Sequence, residues 1–186
     1  CGGTPLRFTL EVVNGWSDWI RTAQFIKQDL AQIGIIVDVK TLDFGAWFDH
    51  VQKGHFDLSI GWSNEGHTPY DFYRQLASTT TRKPEGEASP SNWHRYGDVR
   101  FDKLLHDFSK TPQGKARVSI VHDLQRRFIA KLPAIPLFPN PSWGTYSTRY
   151  FEGFPHQGNP YAKLSPHADP ERLLVLTGVR VKGRAP

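Results

Sequence analysis

The sequence predicts an α/β chain built on a mostly parallel sheet flanked by helices. Three observations carry this expectation: apolar alternation recurs at residues 6–12, 35–39 and 56–60, each gap between these runs has helical periodicity, and a glycine ends each helical stretch. Strands joined by single helices run parallel, because the helix returns the chain to the same end of the sheet, and such crossovers are right-handed.

Each element has its own local reason. Leu6, Phe8, Leu10 and Val12 alternate with Arg7, Thr9 and Glu11, the pattern of a strand with one apolar and one polar face. Asn14-Gly15 ends it, and Ser17 is placed to cap a helix with Trp19, Ala23, Ile26, Leu30 and Ile33 on one face. Gly34 closes that helix in the left-handed conformation. Ile35, Val37 and Val39 begin the second strand, which ends near Leu42-Asp43. A short helix over residues 45–53 follows, with Trp47 on its core side and Gly54 as its stop. Phe56, Leu58 and Ile60 then form a third strand ending at Gly61.

Beyond it the pattern is looser. Pro69 starts a helix whose aromatics, Tyr70, Phe72 and Tyr73, pack or line a cleft. Residues 78–91, rich in Thr, Pro, Gly and Ser, read as a long surface loop. Helices are expected at 98–108 and at 112–131, the second with Thr111 as cap and Pro112 at its first position. Residues 134–140 and 143–150 read as short strands, and Leu173 to Val181 as an edge strand or a tail.

Composition narrows the function classes. Of the 186 residues, 38% are hydrophobic, 13% aromatic and 22% charged, which fits a packed core and excludes a disordered chain. No apolar run approaches the roughly 20 residues that span a bilayer. The formal charge of +5 is scattered apart from Arg180, Lys182 and Arg184, and no nucleic-acid motif accompanies it, so nucleic acid is not an expected partner. The sequence contains no Met and a single Cys, Cys1. The expectation is a chain processed or cut from a longer one. Cys1-Gly2-Gly3 is either the lipidated start of a bacterial lipoprotein or an arbitrary cut point, and the strand beginning at Leu6 favours the cut.

Ligands of open parallel sheets gather outside the carboxyl ends of the strands. That rule selects Asn14-Gly15-Trp16-Ser17-Asp18-Trp19, Leu42-Asp43-Phe44 and Gly61-Trp62-Ser63-Asn64-Glu65. Flat aromatic faces stack on sugar rings or apolar groups, and Asn, Asp and Glu hydrogen-bond hydroxyls or amines, so the combination suits a neutral polar ligand. Trp16, Asp18, Trp19, Trp62, Asn64 and Glu65 are therefore the candidate ligand-binding residues. An alternative is a carbohydrate-active hydrolase using two of Asp18, Asp43 and Glu65 across a scissile bond. A Ser hydrolase lacks its G-x-S-x-G motif. His50, His55 and His67 lack metal-ligand spacing, so no metal and no cofactor is expected.

The ordered segments also carry a resemblance. Ile33-Gly34-Ile35-Ile36-Val37, Trp47-Phe48, Gly54-His55-Phe56-Asp57-Leu58, Gly61-Trp62, Tyr96-Gly97-Asp98, Phe101-Asp102-Lys103-Leu104-Leu105 and Ala134-Ile135-Pro136-Leu137-Phe138 stand in sequence order. Together they resemble the C-terminal lobe of the family 5 extracellular solute-binding proteins of ABC importers. The resemblance implies one lobe of a periplasmic-binding-protein-like fold over residues 1–166, with 167–186 as an irregular extension. It implies an oligosaccharide or peptide ligand, an N-terminal lobe from the same full-length chain, ABC permease subunits as partners, and export to the periplasm or cell surface. In the family's oligopeptide binders an Asp three residues after the Gly-Trp holds the ligand's α-amino group, and here that position is Glu65. Asn14-Gly15-Trp16-Ser17-Asp18-Trp19 instead resembles the cello-oligosaccharide branch, whose members stack glucose rings on tryptophans. The resemblance therefore leans toward a sugar and away from enzymatic activity.

Overall fold

The computed structural model describes residues 3, 5–63, 68–139, 144–164 and 171–183. The chain divides into two compact units, residues 1–135 and 136–186. In the first, β1 (Leu6–Val13), α1 (Ser17–Gln32), β2 (Ile35–Leu42), α2 (Phe44–Lys53) and β3 (Leu58–Ser59) alternate as the sequence predicts. The three strands form one parallel sheet in the order β2-β1-β3. Mixed α/β architecture with a parallel sheet flanked by helices is thus the fold class.

Register decides which side chains share a face. Leu10 pairs with Val39 and Leu58, while Glu11 pairs with Lys40 and Ser59. From α2, His50 Nδ1 lies 2.9 Å from Glu11 Oε2, and Trp47 Nε1 donates to Ser59 Oγ at 2.9 Å. Helix α2 therefore covers the Glu11 face. Because the connections to β2 and back to β3 run in opposite directions with the same hand, α1 covers the Leu10 face. Alternation in β1 implied a solvent-facing Glu11. Its exposure is only 5%, because the central strand is covered on both sides; Lys40 pairs with its charge and His50 Nδ1 lies at hydrogen-bond distance from its second oxygen.

Four further local expectations shift. Trp16, not Ser17, is the N-cap residue of α1. Ile33 falls at the C-cap of α1 and is exposed, one residue before the left-handed Gly34. The third strand contracts to two residues. Residues 134–139 and 144–150 form no strand among the described residues.

A second core stands on three helices: α3 (Pro69–Ala77), α4 (Val99–Lys110) and α5 (Lys115–Lys131). Tyr73, Ala77, Phe101, Leu105, Leu124 and Phe128 are buried together. Asp98 caps α4 by accepting from Arg100 N at 2.9 Å, and it also pairs with Arg127 of α5. Thr111 was expected to cap α5. Its backbone N–H and hydroxyl instead bond to Asp107 O, ending α4, so α5 starts only after Gly114.

Residues 78–91 are not a detached surface loop. A single 3-10 turn at Thr79–Thr81 opens the segment, and Ser78 and Ser89 are buried. The segment closes the C-terminal end of α2, where four carbonyls lack partners within the helix. His55 N reaches His50 O, Gly54 N reaches Val51 O, Ser89 N reaches Gln52 O and Gly86 N reaches Lys53 O. Arg95 adds a bond to Gln52 O at 2.6 Å, placing a cation at the negative end of the helix.

The second unit contains β4 (Phe151–Glu152), α6 (Glu171–Gly178) and β5 (Arg180–Val181), with β4 and β5 antiparallel. Tyr146 stacks on Phe154 at 4.4 Å, and Tyr161 Oη donates to Gly153 O at 2.8 Å. The stretch read as an edge strand or a tail is mostly helix, because Leu173, Leu174 and Leu176 follow no two-residue alternation.

Candidate functional site

The chain leaves β1 for β2 on one side and returns past it to β3 on the other. The carboxyl ends of β1 and β3 therefore form the topological switch point, the place where open α/β sheets hold their ligands. Gly15, at φ 82°, makes the tight turn after β1, and Trp16 N donates to Val13 O at 3.3 Å. This holds Trp16 just above the strand end. From the neighbouring strand, Ile60 N donates to Glu11 O at 3.3 Å, and Trp62 follows two residues later. Helix α2 begins directly after β2 and brings Phe44, Trp47 and Phe48 to the same edge.

Seven aromatic rings meet there: Trp16, Trp19, Phe44, Trp47, Phe48, Trp62 and Trp93. Trp47 is fully buried, and its ring centroid lies 5.2–6.3 Å from those of the other six. Trp19, 3% exposed, meets Trp16 edge-on at 4.6 Å. The outer rings are Trp62, 40% exposed, and Phe44, 48% exposed. Their planes differ by 9° at a centroid separation of 6.4 Å, and Phe48 lies within 18° of both. The inner indoles thus support an outer, partly solvent-facing set of near-parallel rings.

The sequence-predicted candidates distribute across this arrangement. Trp16 and Trp62 lie at the strand ends and belong to the cluster, with Trp19 beneath Trp16. Asp18 is exposed in the first turn of α1. Asn64 and Glu65 lie outside the described residues. Asp43 is the exposed N-cap residue of α2. Among the described residues no group of three His, Cys, Asp or Glu side chains is placed to hold a metal ion. The chemistry offered is ring stacking and apolar contact, flanked by polar groups.

The strand-end rule selected the segment that holds Phe44 without making it a candidate ligand residue, and sequence reasoning gave no binding role to Phe48 or Trp93. Phe44 and Phe48 are one helical turn apart on α2, a spacing that places both on one edge of the helix beside Trp47. Trp93 gave no periodic signal, since it follows the stretch read as a loop. Its Nε1 donates to Ser89 O at 3.1 Å, and its ring meets Trp62 edge-on at 5.0 Å and 84°.

Residues 2–84 match the family described as bacterial extracellular solute-binding proteins, family 5 Middle. The chain is related to the family 5 solute-binding proteins. Di/tripeptide-binding protein 4 of Pseudomonas aeruginosa is 28% identical over 141 residues, 73% of this chain and 26% of that protein. The structure of a mannohexaose-bound periplasmic oligopeptide-binding protein of an ABC transporter from Thermotoga maritima superposes with TM-score 0.82 at 25% identity, covering 98% of this chain and 34% of that one. A peptide-bound periplasmic binding protein from Helicobacter pylori shares the fold, with TM-score 0.60 at 22% identity over 69% of this chain and 24% of that one. The chain spans about a quarter of the length of the curated relatives it matches.

Proposed function

We propose that this chain supplies one lobe of the solute-binding component of an ABC importer, and that the captured solute is an oligosaccharide. The observation that carries the reading is the pair of exposed, near-parallel rings of Trp62 and Phe44 at the switch point. A hexopyranose presents an apolar C–H face with hydroxyls around its rim. Aromatic faces take the first, and side chains such as Asp18, Asn64 and Glu65 suit the second. Trp16 extends the stacking surface, and Trp19 supports it from below. The mannohexaose-bound neighbour, matched over nearly the whole chain, supports the same ligand class.

In this reading residues 1–166 form one wall of the cleft, 167–186 an extension, and the N-terminal lobe of the full-length chain the opposite wall. Hinge closure traps the solute and presents it to the permease, with no bond made or broken. The place of action is the periplasm or the cell surface. Among the described residues no helix is long and apolar enough to cross a membrane.

A peptide ligand is the second reading, favoured by curated relatives described as di/tripeptide-binding proteins. There Glu65 would face the α-amino group. The deciding experiment is tryptophan fluorescence of the full-length protein during titration with mannohexaose, cellopentaose and a di- to tripeptide pool. Saturable change with a sugar, lost in Trp62→Ala, supports the proposal. Saturation by peptides alone refutes it and moves the protein to the second reading. Tight binding by this chain without its second lobe would contradict the two-wall account.

A further inference from the structure

We infer that Trp93 is a positioning residue that sets the plane of Trp62, and that Gly61 is a glycine because Trp93 occupies the space of its missing side chain. The inference rests on the reading of Trp62 as a ligand-facing ring. A Cβ built on Gly61 would lie 3.1 Å from Trp93 Cζ3 and 3.3 Å from Cε3, tighter than ordinary van der Waals contact. The φ of Gly61 is not in the left-handed region, so contact with the indole, not backbone conformation, is what a side chain there would disturb. With that space free, the Trp93 ring stands nearly perpendicular to three neighbours at once. It meets Trp62 at 5.0 Å and 84°, Trp47 at 5.8 Å and 90°, and Phe48 at 6.1 Å and 87°. Edge-to-face contact suits the ring quadrupoles, and three such contacts from different rings fix an orientation better than one.

Trp93 is itself tethered. Its indole N–H bonds to Ser89 O, and Ser89 is buried, with its own N–H on Gln52 O at the end of α2. The tilt of Trp62 thus connects through Trp93 to the end of the helix that supplies Phe44 and Phe48. An exposed tryptophan after a strand would otherwise sample several rotamers. Held this way, it meets a flat ligand without losing that freedom on binding.

The test is a double-mutant cycle in the full-length protein, using whichever of mannohexaose, cellopentaose or trialanine binds the wild type. Trp62→Ala and Trp93→Ala should each weaken binding about fivefold. The double variant should be no weaker than Trp62→Ala alone, since Trp93 acts only through Trp62. Trp93→Phe, which keeps an edge against Trp62, should recover most of the affinity. Gly61→Ala, which removes no aromatic ring but displaces that of Trp93, should reproduce the Trp93→Ala loss. Additive losses would make Trp93 a direct ligand contact and overturn the inference, as would unchanged affinity in both Trp93→Ala and Gly61→Ala. An unchanged Trp62→Ala would instead remove Trp62 from the ligand face and with it the reading on which the inference rests. Near-ultraviolet circular dichroism of the same four proteins supplies a ligand-free cycle, and the inference requires non-additive band changes there too.

Discussion

Removing Trp47 should cost more stability than any other single truncation at the sheet edge. The indole is fully buried, contacts all six other rings of the cluster and donates its N–H to Ser59 Oγ at 2.9 Å. Truncating a buried Trp or Phe to Ala costs about 3–5 kcal/mol, the spread reflecting how far the surroundings collapse. Here collapse is opposed on every side by rigid rings, so Trp47→Ala should fall near about 5 kcal/mol, a large part of the roughly 5–15 kcal/mol that holds a typical protein folded. Trp47→Phe keeps most of the ring contacts but loses the hydrogen bond, and should cost about 2 kcal/mol. Ser59→Ala leaves the indole N–H buried without its acceptor, at about 1–2 kcal/mol, and coupling between the two sites should be about 1 kcal/mol. Urea unfolding followed by far-ultraviolet circular dichroism measures the wild type, the three single variants and the Trp47→Phe/Ser59→Ala double variant that gives the coupling. A Trp47→Ala loss below about 2 kcal/mol would refute the claim that this ring is the fixed centre of the cluster.

Two pH-linked predictions concern the second core and its connection. Burial alone would raise the Asp98 carboxyl, but the bonds from Arg100 N, Arg127 and Tyr96 Oη prevail and hold it below the usual carboxylate range. A lowered carboxyl stabilises the fold above its unfolded value of about 3.9, and that contribution disappears as pH falls through the lower folded value. Asp98→Ala should cost about 3 kcal/mol near neutrality, about 1 for the cap and about 2 for a pair mostly but not wholly buried. Asp98→Asn should keep the cap, and its deficit should shrink in acid unfolding titrations; a constant deficit at all pH values would count against the ion pair. Burial lowers the His94 imidazole, aided by Arg95 and opposed by the bond to Leu76 O at 2.7 Å. Its contribution is complete above the ordinary value of about 6.5 and falls as pH drops below it toward the folded value. Urea midpoints should therefore decline between about pH 7.5 and pH 5.5 in the wild type and less so in His94→Gln; parallel declines would dismiss His94 as the cause.

Local chemistry in the sequence was enough to place the parallel sheet, because its signals are short-range. Two-residue alternation, helical spacing and the left-handed Gly34 and Gly54 each act within a few residues of themselves. The strand-end rule followed from them, and so did the choice of Trp16 and Trp62, since both directly follow strands. Sugar or peptide remained open at that level, because Glu65 and the Trp16 segment resemble different branches of one family.

Tertiary structure decided what depended on long-range neighbours. Glu11 reads as an outward residue until β1 proves central, with α2 lying across its polar face. The segment after Ser78 reads as a loop because its bonds run to the end of α2, more than twenty residues back in sequence. Trp93 reads as nothing in particular until its indole is found against Trp62 in the space that Gly61 leaves. Alternation and capping are properties of consecutive residues, whereas the aromatic cluster draws on β1, α1, α2, β3 and a distant connection at once. Its assembly is settled only when the sheet order brings those ends together, because ring packing depends on where chain segments meet in space.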